Sequence, residues 1–370
     1  MSPRQASPTG PHPTSPERDI VLLCNPRAGG RWKELASILD SAESSHVRWI
    51  VTDSIEDIGP ALAMLSDRTR LVCVYGGDGT IQAILDQMYA DRHDGPPLAF
   101  IGGGTMNVTA RWCGFANKPA RNFRDVVRSY RSGDLLTKEV PVITVRQGVV
   151  PRHCFTFGCG PIVRVLNEYE NGGKGKAAAL SIVGQALTAV WSNLPPRYGE
   201  ILRPLEAEVY HNGERLPYDR WTALFCNSTG RLHIGVEPFV KMRTRENFYL
   251  GAYAVTKQEI ALWLPALMRG LLPVDPKSLI KPVSGWKAIA MSYVGRDSYP
   301  VDPRYVNDLA TDVEIRTEER MFTVDGEVVH GTGEPIRVRL GPTLRLAVSP
   351  RVALSKPVRL ATGAKAPTEI

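Results

Sequence analysis

The chain has 370 residues, with 45 Lys plus Arg against 38 Asp plus Glu and a net charge of +7. Hydrophobic residues make up 43% and charged residues 22%, near the averages for soluble globular proteins, which excludes a disordered, fibrous or polytopic membrane chain and leaves a folded soluble enzyme as the leading class. The positive excess favours an anionic partner, such as phosphates, nucleotides or an anionic lipid surface, and is too small to indicate nucleic acid.

Residues 1–17 hold five prolines and five Ser or Thr and no apolar run. That is the composition of a disordered tail, not of a signal peptide or a core. The run Ile20-Val21-Leu22-Leu23-Cys24 is apolar throughout and of strand length; Asn25-Pro26-Arg27-Ala28-Gly29-Gly30 follows it, and then a helical pattern over 32–39. The same order recurs with a strand over 47–51 before a helix over 55–65, and a strand over 71–75 before Gly76-Gly77-Asp78-Gly79-Thr80 and a helix over 81–89. A fourth strand, 98–101, runs into Gly102-Gly103-Gly104-Thr105-Met106-Asn107. Strands apolar on both faces and separated by helices predict a parallel sheet covered on both sides, with ligands at the loops beyond the strands' carboxyl ends.

From about Val140 the pattern changes to short alternating strands with Gly and Pro turns, over 142–145, 206–210, 221–226, 248–255, 313–317, 321–324 and 336–340. Helices near 177–191 and 257–271 interrupt them. This predicts a second domain built as an antiparallel β-sandwich. The expected organisation is a tail 1–17, an α/β domain 18–139, a sandwich 140–343 and a C-terminal segment 344–370 whose run 344–348 returns to either domain. The uncharged stretch 177–196 is long enough to span a bilayer, but Ser181, Gly184, Gln185, Thr188, Ser192 and Asn193 within it favour a buried or amphipathic helix. Cysteines 24, 73, 113, 154, 159 and 226 show no C-x-x-C spacing and read as small core residues in a reducing cytoplasm.

Three glycine-rich turns follow three strands. A Gly-Gly-Asp-Gly-Thr turn lets the backbone approach a ligand closely, since glycine has no Cβ, and its amides, together with a helix amino terminus, can cradle phosphate oxygens. The same turn is also ordinary strand-to-helix geometry, with Asp78 or Thr80 capping the helix. Three such turns on one edge of one sheet favour phosphate or nucleotide binding. There is no G-x-x-x-x-G-K-[ST], no G-x-G-x-x-G follows the first strand, and the protein-kinase H-R-D and D-F-G are absent.

Four motifs in order, Asn25-Pro-Arg-Ala-Gly-Gly30, Gly76-Gly-Asp-Gly-Thr80, Gly103-Gly-Thr-Met-Asn107 and Val324-Asp-Gly-Glu327, resemble the diacylglycerol kinase catalytic-domain family, which includes bacterial diacylglycerol kinases, sphingosine kinases and ceramide kinases. The resemblance runs from about residue 19 to residue 350. It implies two domains, with ATP in the cleft between a phosphofructokinase-like α/β domain and a β-sandwich that holds the lipid. Carried onto this sequence, it implies that Asn25, Gly29 and Gly30 lie near the nucleotide and that Gly76, Gly77, Asp78, Gly79 and Thr80 run along the phosphates. Thr52, Gly104, Thr105 and Asn107 complete the nucleotide side. Lys174 and Lys176 either approach the ATP phosphates, as basic residues of relatives do in this stretch, or are solvated lysines at a helix start. Asp325 and Glu327 face the γ-phosphate, with Asp325 as a Mg²⁺ ligand, and the proton acceptor is one of Asp325, Glu327 and Asp78. Asp325-Gly326 is also a common hairpin signal.

The implied activity is Mg²⁺- and ATP-dependent transfer of a phosphoryl group to a lipid hydroxyl, of a diacylglycerol, sphingoid base or ceramide, in phospholipid metabolism. The implied setting is cytoplasmic and peripheral at a membrane surface, without a nucleic-acid partner; a homodimer is left open. An NAD kinase or sugar-phosphate kinase of the same superfold, and a non-catalytic nucleotide-binding regulator, are the alternatives. The apolar segment 260–272 is either a packing helix or a wall over acyl chains. Arg337, Arg339, Arg345, Arg351, Lys356 and Arg359 form either a solvated face or a rest for anionic headgroups. Two stretches depart from the family pattern: Gly158-Cys159-Gly160-Pro161-Ile162 carries no carboxylate, and 237–248 lacks the aspartates that support an auxiliary Mg²⁺ in bacterial members.

Overall fold

The computed structural model describes residues 19–29, 31–39, 46–89, 95–104, 107–148, 151–171, 185–186, 188–192, 196–230, 232, 238–239, 241, 243–267, 270–275 and 301–354. The expected tail, Gly30, Thr105, Lys174, Lys176, Lys356, Arg359 and most of the stretch 177–196 lie outside these residues.

Strands β1 (Ile20–Cys24), β2 (Val47–Val51), β3 (Leu71–Gly76) and β4 (Leu98–Gly102) pair in parallel in the order β4-β3-β1-β2. Helices α1 (Trp32–Leu39), α2 (Ile58–Ala63) and α3 (Asp78–Met88) run between them, and α4 (Val108–Cys113) and α5 (Pro119–Arg131) follow. Every residue of β1, β3 and β4 is buried, the reason these strands read as unbroken apolar runs. Helix α3 begins at Asp78, with Gly77 as its N-cap. The expected start at Ile81 is thereby corrected: Asp78, Gly79 and Thr80 form the first helical turn, and no side chain caps it.

The chain continues through β5 (Thr137–Arg146), β6 (Pro151–Cys154), β7 (Thr156–Cys159), α6 (Pro161–Asn171), α7 (Pro196–Ile201), β8 (Leu205–Glu206), β9 (Glu208–His211), β10 (Glu214–Arg215), β11 (Arg220–Trp221), β12 (Ala223–Asn227) and β13 (Phe248–Tyr253). It ends with α8 (Lys257–Leu267), β14 (Tyr305–Ala310), β15 (Asp312–Arg316), β16 (Met321–Val324), β17 (Glu327–His330), β18 (Ile336–Ala347) and α9 (Pro350–Leu354). The runs 336–340 and 344–347, expected as parts of separate strands, belong to the single strand β18, which ends one residue short of Val348. It pairs antiparallel with β15 and β5, and in parallel with β4 at Leu346↔Leu98. The parallel and antiparallel strands therefore share one mixed ten-stranded sheet. The ladder shifts between Leu340 and Thr343 but continues. A Cβ at Gly341 would stand 2.6 Å from Thr144 Oγ1, so glycine permits the close approach there. Residues 139 and 140, where the sequence suggests a boundary, lie inside β5.

A second, six-stranded antiparallel sheet has the order β14-β13-β12-β7-β16-β17. Its Phe157, Leu224, Phe248 and Val324 share a buried core with Val145, Val209, Val313 and Val338 of the larger sheet, the face-to-face layering of a sandwich. All six cysteines are buried and free; burial pushes the Cys24 and Cys73 thiols up to about 12, far from the range of a reactive thiolate. Among the described residues, no helix is long and apolar enough to cross a membrane.

Candidate active site

The turns at the carboxyl ends of β1, β3 and β4 are fastened to one another. The Asn25 amide N–H donates to the Tyr75 carbonyl at 2.9 Å, and Asn25 Nδ2 donates to Thr80 Oγ1 at 3.2 Å. The Gly103 N–H donates to the Gly76 carbonyl at 2.8 Å, and the Tyr75 hydroxyl to the Ala28 carbonyl at 3.1 Å. Thr52, beyond β2, donates its amide to the Cys24 carbonyl at 2.9 Å, which sets it beside Asn25. Two glycines are required by this closeness. Gly29 has φ +64°, and a Cβ on it would overlap the Gly103 carbonyl oxygen; a Cβ on Gly104 would stand 2.7 Å from Gly77 Cα. Asn107, at positive φ, stands at the N-cap position of α4 without a side-chain capping bond, and its Nδ2 donates to the Gly104 carbonyl at 2.6 Å.

Asp78 points from the first turn of α3 toward the start of α4, where its carboxylate accepts the Thr109 amide at 3.4 Å. Burial pushes its carboxyl above the usual range, and the amides of Val108, Thr109 and Asn107 oppose that rise. Glu327 arrives from the other sheet. Strands β16 and β17 pair with Val324 opposite Glu327, and the two turn residues between them, Asp325 and Gly326, have φ +48° and +92°. Two positive φ values in sequence are the requirement of a I′ hairpin, and Asp-Gly is among its preferred pairs. The hairpin reading of the sequence and the site reading are thus compatible. Glu327 is exposed, with its Oε1 3.3 Å from where a Cβ on Gly79 would stand.

Asp325 behaves differently. Its side chain is buried and accepts the Phe155 amide with both oxygens at 3.0 Å and the Thr156 amide with Oδ1 at 2.7 Å, while its own N–H donates to the Thr156 carbonyl at 2.8 Å. Burial, helped by the negative charges of Asp78 and Asp86 and opposed by the Phe155 and Thr156 amides, raises its pKa to about 7. The geometry makes this carboxylate a clasp for the hairpin.

Sequence reasoning missed the residues that complete this clasp. Thr156 Oγ1 accepts Asn227 Nδ2 at 2.8 Å, and Asn227 Oδ1 accepts the amides of Thr229 at 2.9 Å and Gly230 at 2.6 Å. Trp112 on α4 donates its indole N–H to the Thr229 carbonyl at 3.1 Å. The available signal was the polar run Asn227-Ser228-Thr229-Gly230 closing an apolar strand. On the basic C-terminal run, Arg337 pairs with Glu314 at 3.1 Å and Arg339 with Asp312 at 2.6 Å. These two arginines are neutralised by cross-strand partners.

A parallel sheet whose carboxyl ends carry interlocked glycine turns is the class of α/β fold in which ligands sit beyond the strand ends. Residues 19–137 match the family model described as the diacylglycerol kinase catalytic domain. The matched segment ends at the first residue of β5, so it contains the glycine turns and Asp78 but not Asp325 or Glu327. No curated protein matches the chain. Among solved structures, the chain is similar to one described as "a putative diacylglycerol kinase from Bacillus anthracis str. Sterne", at 16% identity and a TM-score of 0.59, with 92% of this chain and 99% of that one covered. It is also similar to a diacylglycerol kinase from the same organism, at 16% identity and a TM-score of 0.56, with 92% and 100% covered. At that identity the likeness establishes the fold.

Proposed function

We propose that the protein is an ATP-dependent lipid kinase that transfers the γ-phosphoryl group to a lipid hydroxyl. The observation that carries this reading is Glu327 reaching Gly79: an exposed carboxylate from a hairpin stands at the amino-terminal turn of a helix that follows a glycine turn. The amides of Gly77 to Gly79 and the positive end of α3 suit phosphate oxygens. Glu327 is then the group that accepts the hydroxyl proton as the acceptor oxygen attacks, and Asp325, by clasping the Phe155 and Thr156 amides, holds the turn that aims it.

Among the described residues, no group of three His, Cys, Asp or Glu stands together as a protein-held metal would need, and the oxygens of Asp325 are engaged by amides. The residues fit a Mg²⁺ that rides on the nucleotide phosphates, with Asp78 and Glu327 the carboxylates in reach; when bound, it supplies neutralisation of phosphate charge. A lipid acceptor is supported by the family match over residues 19–137 and by exposed apolar side chains: Leu262 and Leu264 on α8, and Trp191. Lys257 and Gln258 of α8 bond the carbonyls of Ala189 and Val190, so these apolar groups belong to neighbouring segments. A peripheral position at a membrane surface follows from such a substrate. Labelled ATP, Mg²⁺ and a panel of diacylglycerols, sphingoid bases and ceramides in vesicles, with products separated by chromatography, tests the reading. Phosphorylation of one lipid class is expected; label transfer to no lipid, or to NAD or a sugar phosphate instead, overturns it.

A further inference from the structure

Helix α3 is met at two places by antiparallel strands, β17 of the six-stranded sheet and β6 of the larger one. At its amino end Gly79 faces Glu327. Further along, Asp86 and Gln82, one turn apart on α3, grip the backbone of His153 in β6. Asp86 Oδ1 accepts the His153 N–H at 2.6 Å and Gln82 Nε2 at 3.0 Å; Gln82 Nε2 also donates to the His153 carbonyl at 2.6 Å. Arg152 Nη1 lies 3.3 Å from Asp86 Oδ2. Strand β6 pairs with β5, and the two α3 side chains take the place of a further strand at His153. Two residues on, the Phe155 N–H and then the Thr156 N–H are given to Asp325, whose hairpin carries Glu327 back to Gly79. The path from Gly79 through Asp86, His153, Phe155 and Asp325 to Glu327 is thus closed.

We propose that Asp86 is a positioning residue for phosphoryl transfer, fixing the distance between the first turn of α3 and Glu327. This rests on the lipid-kinase reading, since that reading makes Glu327 the proton acceptor and the turn a phosphate cradle. Asp86→Ala removes the Asp86 contacts to the His153 N–H, to Gln82 and to Arg152, and leaves the Gln82 bond to the His153 carbonyl. Asp86→Asn keeps the Oδ1 acceptor for His153 and Gln82 and loses only the oxygen toward Arg152. A misplacement of ~1 Å away from the chemistry costs as much as ~100-fold. Asp86→Ala is therefore expected to lower kcat by about 10- to 100-fold with KM for ATP within about three-fold of the parent, whereas Asp86→Asn keeps most of the parental kcat. Gln82→Leu, which removes the second grip and leaves Asp86 in place, is expected to give an intermediate loss, and it decides the matter if Asp86→Ala does not fold.

Hydrogen–deuterium exchange gives a readout independent of turnover. In Asp86→Ala the amides of Phe155 and Thr156 and those of the first turn of α3 should exchange faster than in the parent, and in Asp86→Asn at nearly the parental rate. Equal kcat losses for Ala and Asn overturn the assignment. So does a KM for ATP that rises in step with the loss of kcat, or a lowered melting temperature with exchange at Phe155 unchanged. If the parent phosphorylates no lipid, the lipid-kinase reading falls on that result alone, and the exchange measurement still decides whether Asp86 ties the two segments together.

Discussion

Replacing Asp325 by Asn removes one buried titrating carboxyl and leaves the hairpin intact. Asparagine adopts positive φ, Asn-Gly is a preferred I′ pair, and its Oδ1 can still accept the Thr156 amide. The folded pKa of Asp325, raised from 3.8 to about 7, lies above that of the unfolded chain. The folded state therefore holds the proton more tightly, and stability is lost as pH rises from about 4 to about 7. Below that window both states are protonated, the stability is fully present, and this group gives it no further pH dependence. A rise of about three pH units at ~1.36 kcal/mol each bounds the loss at ~4 kcal/mol. Urea unfolding of parent and Asp325→Asn between about pH 4.5 and pH 8 measures it, provided the m-values agree. Carboxylates that hydrogen bonds and arginines pull down, such as Glu259 and Glu314, act in the opposite sense in both proteins and cancel in the difference. The variant should gain on the parent by as much as ~4 kcal/mol as pH rises through the window. A difference that stays flat, or that moves in the parent's favour, refutes a buried, proton-holding Asp325.

Glu327→Gln, on an exposed side chain, should leave the melting temperature unchanged and ATP affinity within a few-fold while costing turnover at least ~100-fold; near-parental turnover, measured with labelled ATP, would shift the proton acceptor to Asp78. Gly79→Ala places its Cβ 3.3 Å from Glu327 Oε1, the mobile end of a side chain, within a helix where Ala is favoured over Gly by ~1 kcal/mol. The variant should melt no lower than the parent yet bind ATP more weakly, and calorimetry of both quantities checks the pair. Gly29→Ala combines positive φ with overlap on the Gly103 carbonyl and should cost ~2–4 kcal/mol in urea unfolding together with nucleotide binding. Vesicle co-sedimentation tests the membrane reading: binding to anionic vesicles that falls with salt is expected, and equal binding to neutral vesicles would count against it.

Strands β1, β3 and β4 were legible because burial on both faces writes itself into consecutive apolar residues, and the glycine turns were legible because they follow those runs directly. The hairpin at Asp325-Gly326 was legible too, since a I′ turn is decided by two adjacent residues. Helix α5 was not read; its buried stripe is only Pro119, Phe123, Val126 and Val127 in an arginine-rich segment. Strands β6 and β7, of four residues each, are too short for a period to emerge. The continuity of β18 through Gly341-Pro342 was hidden because that pair signals a break, and only the nearness of β5 shows why glycine stands there. The sequence by itself thus determined which segments are buried and where the chain turns, because both depend on near neighbours. Tertiary structure alone decided that Asp325 clasps amides 170 and 169 positions away, that its proton is held to about pH 7, and that Glu327 meets Gly79. Desolvation and hydrogen bonding at those places are supplied by groups that approach only when the sheets pack.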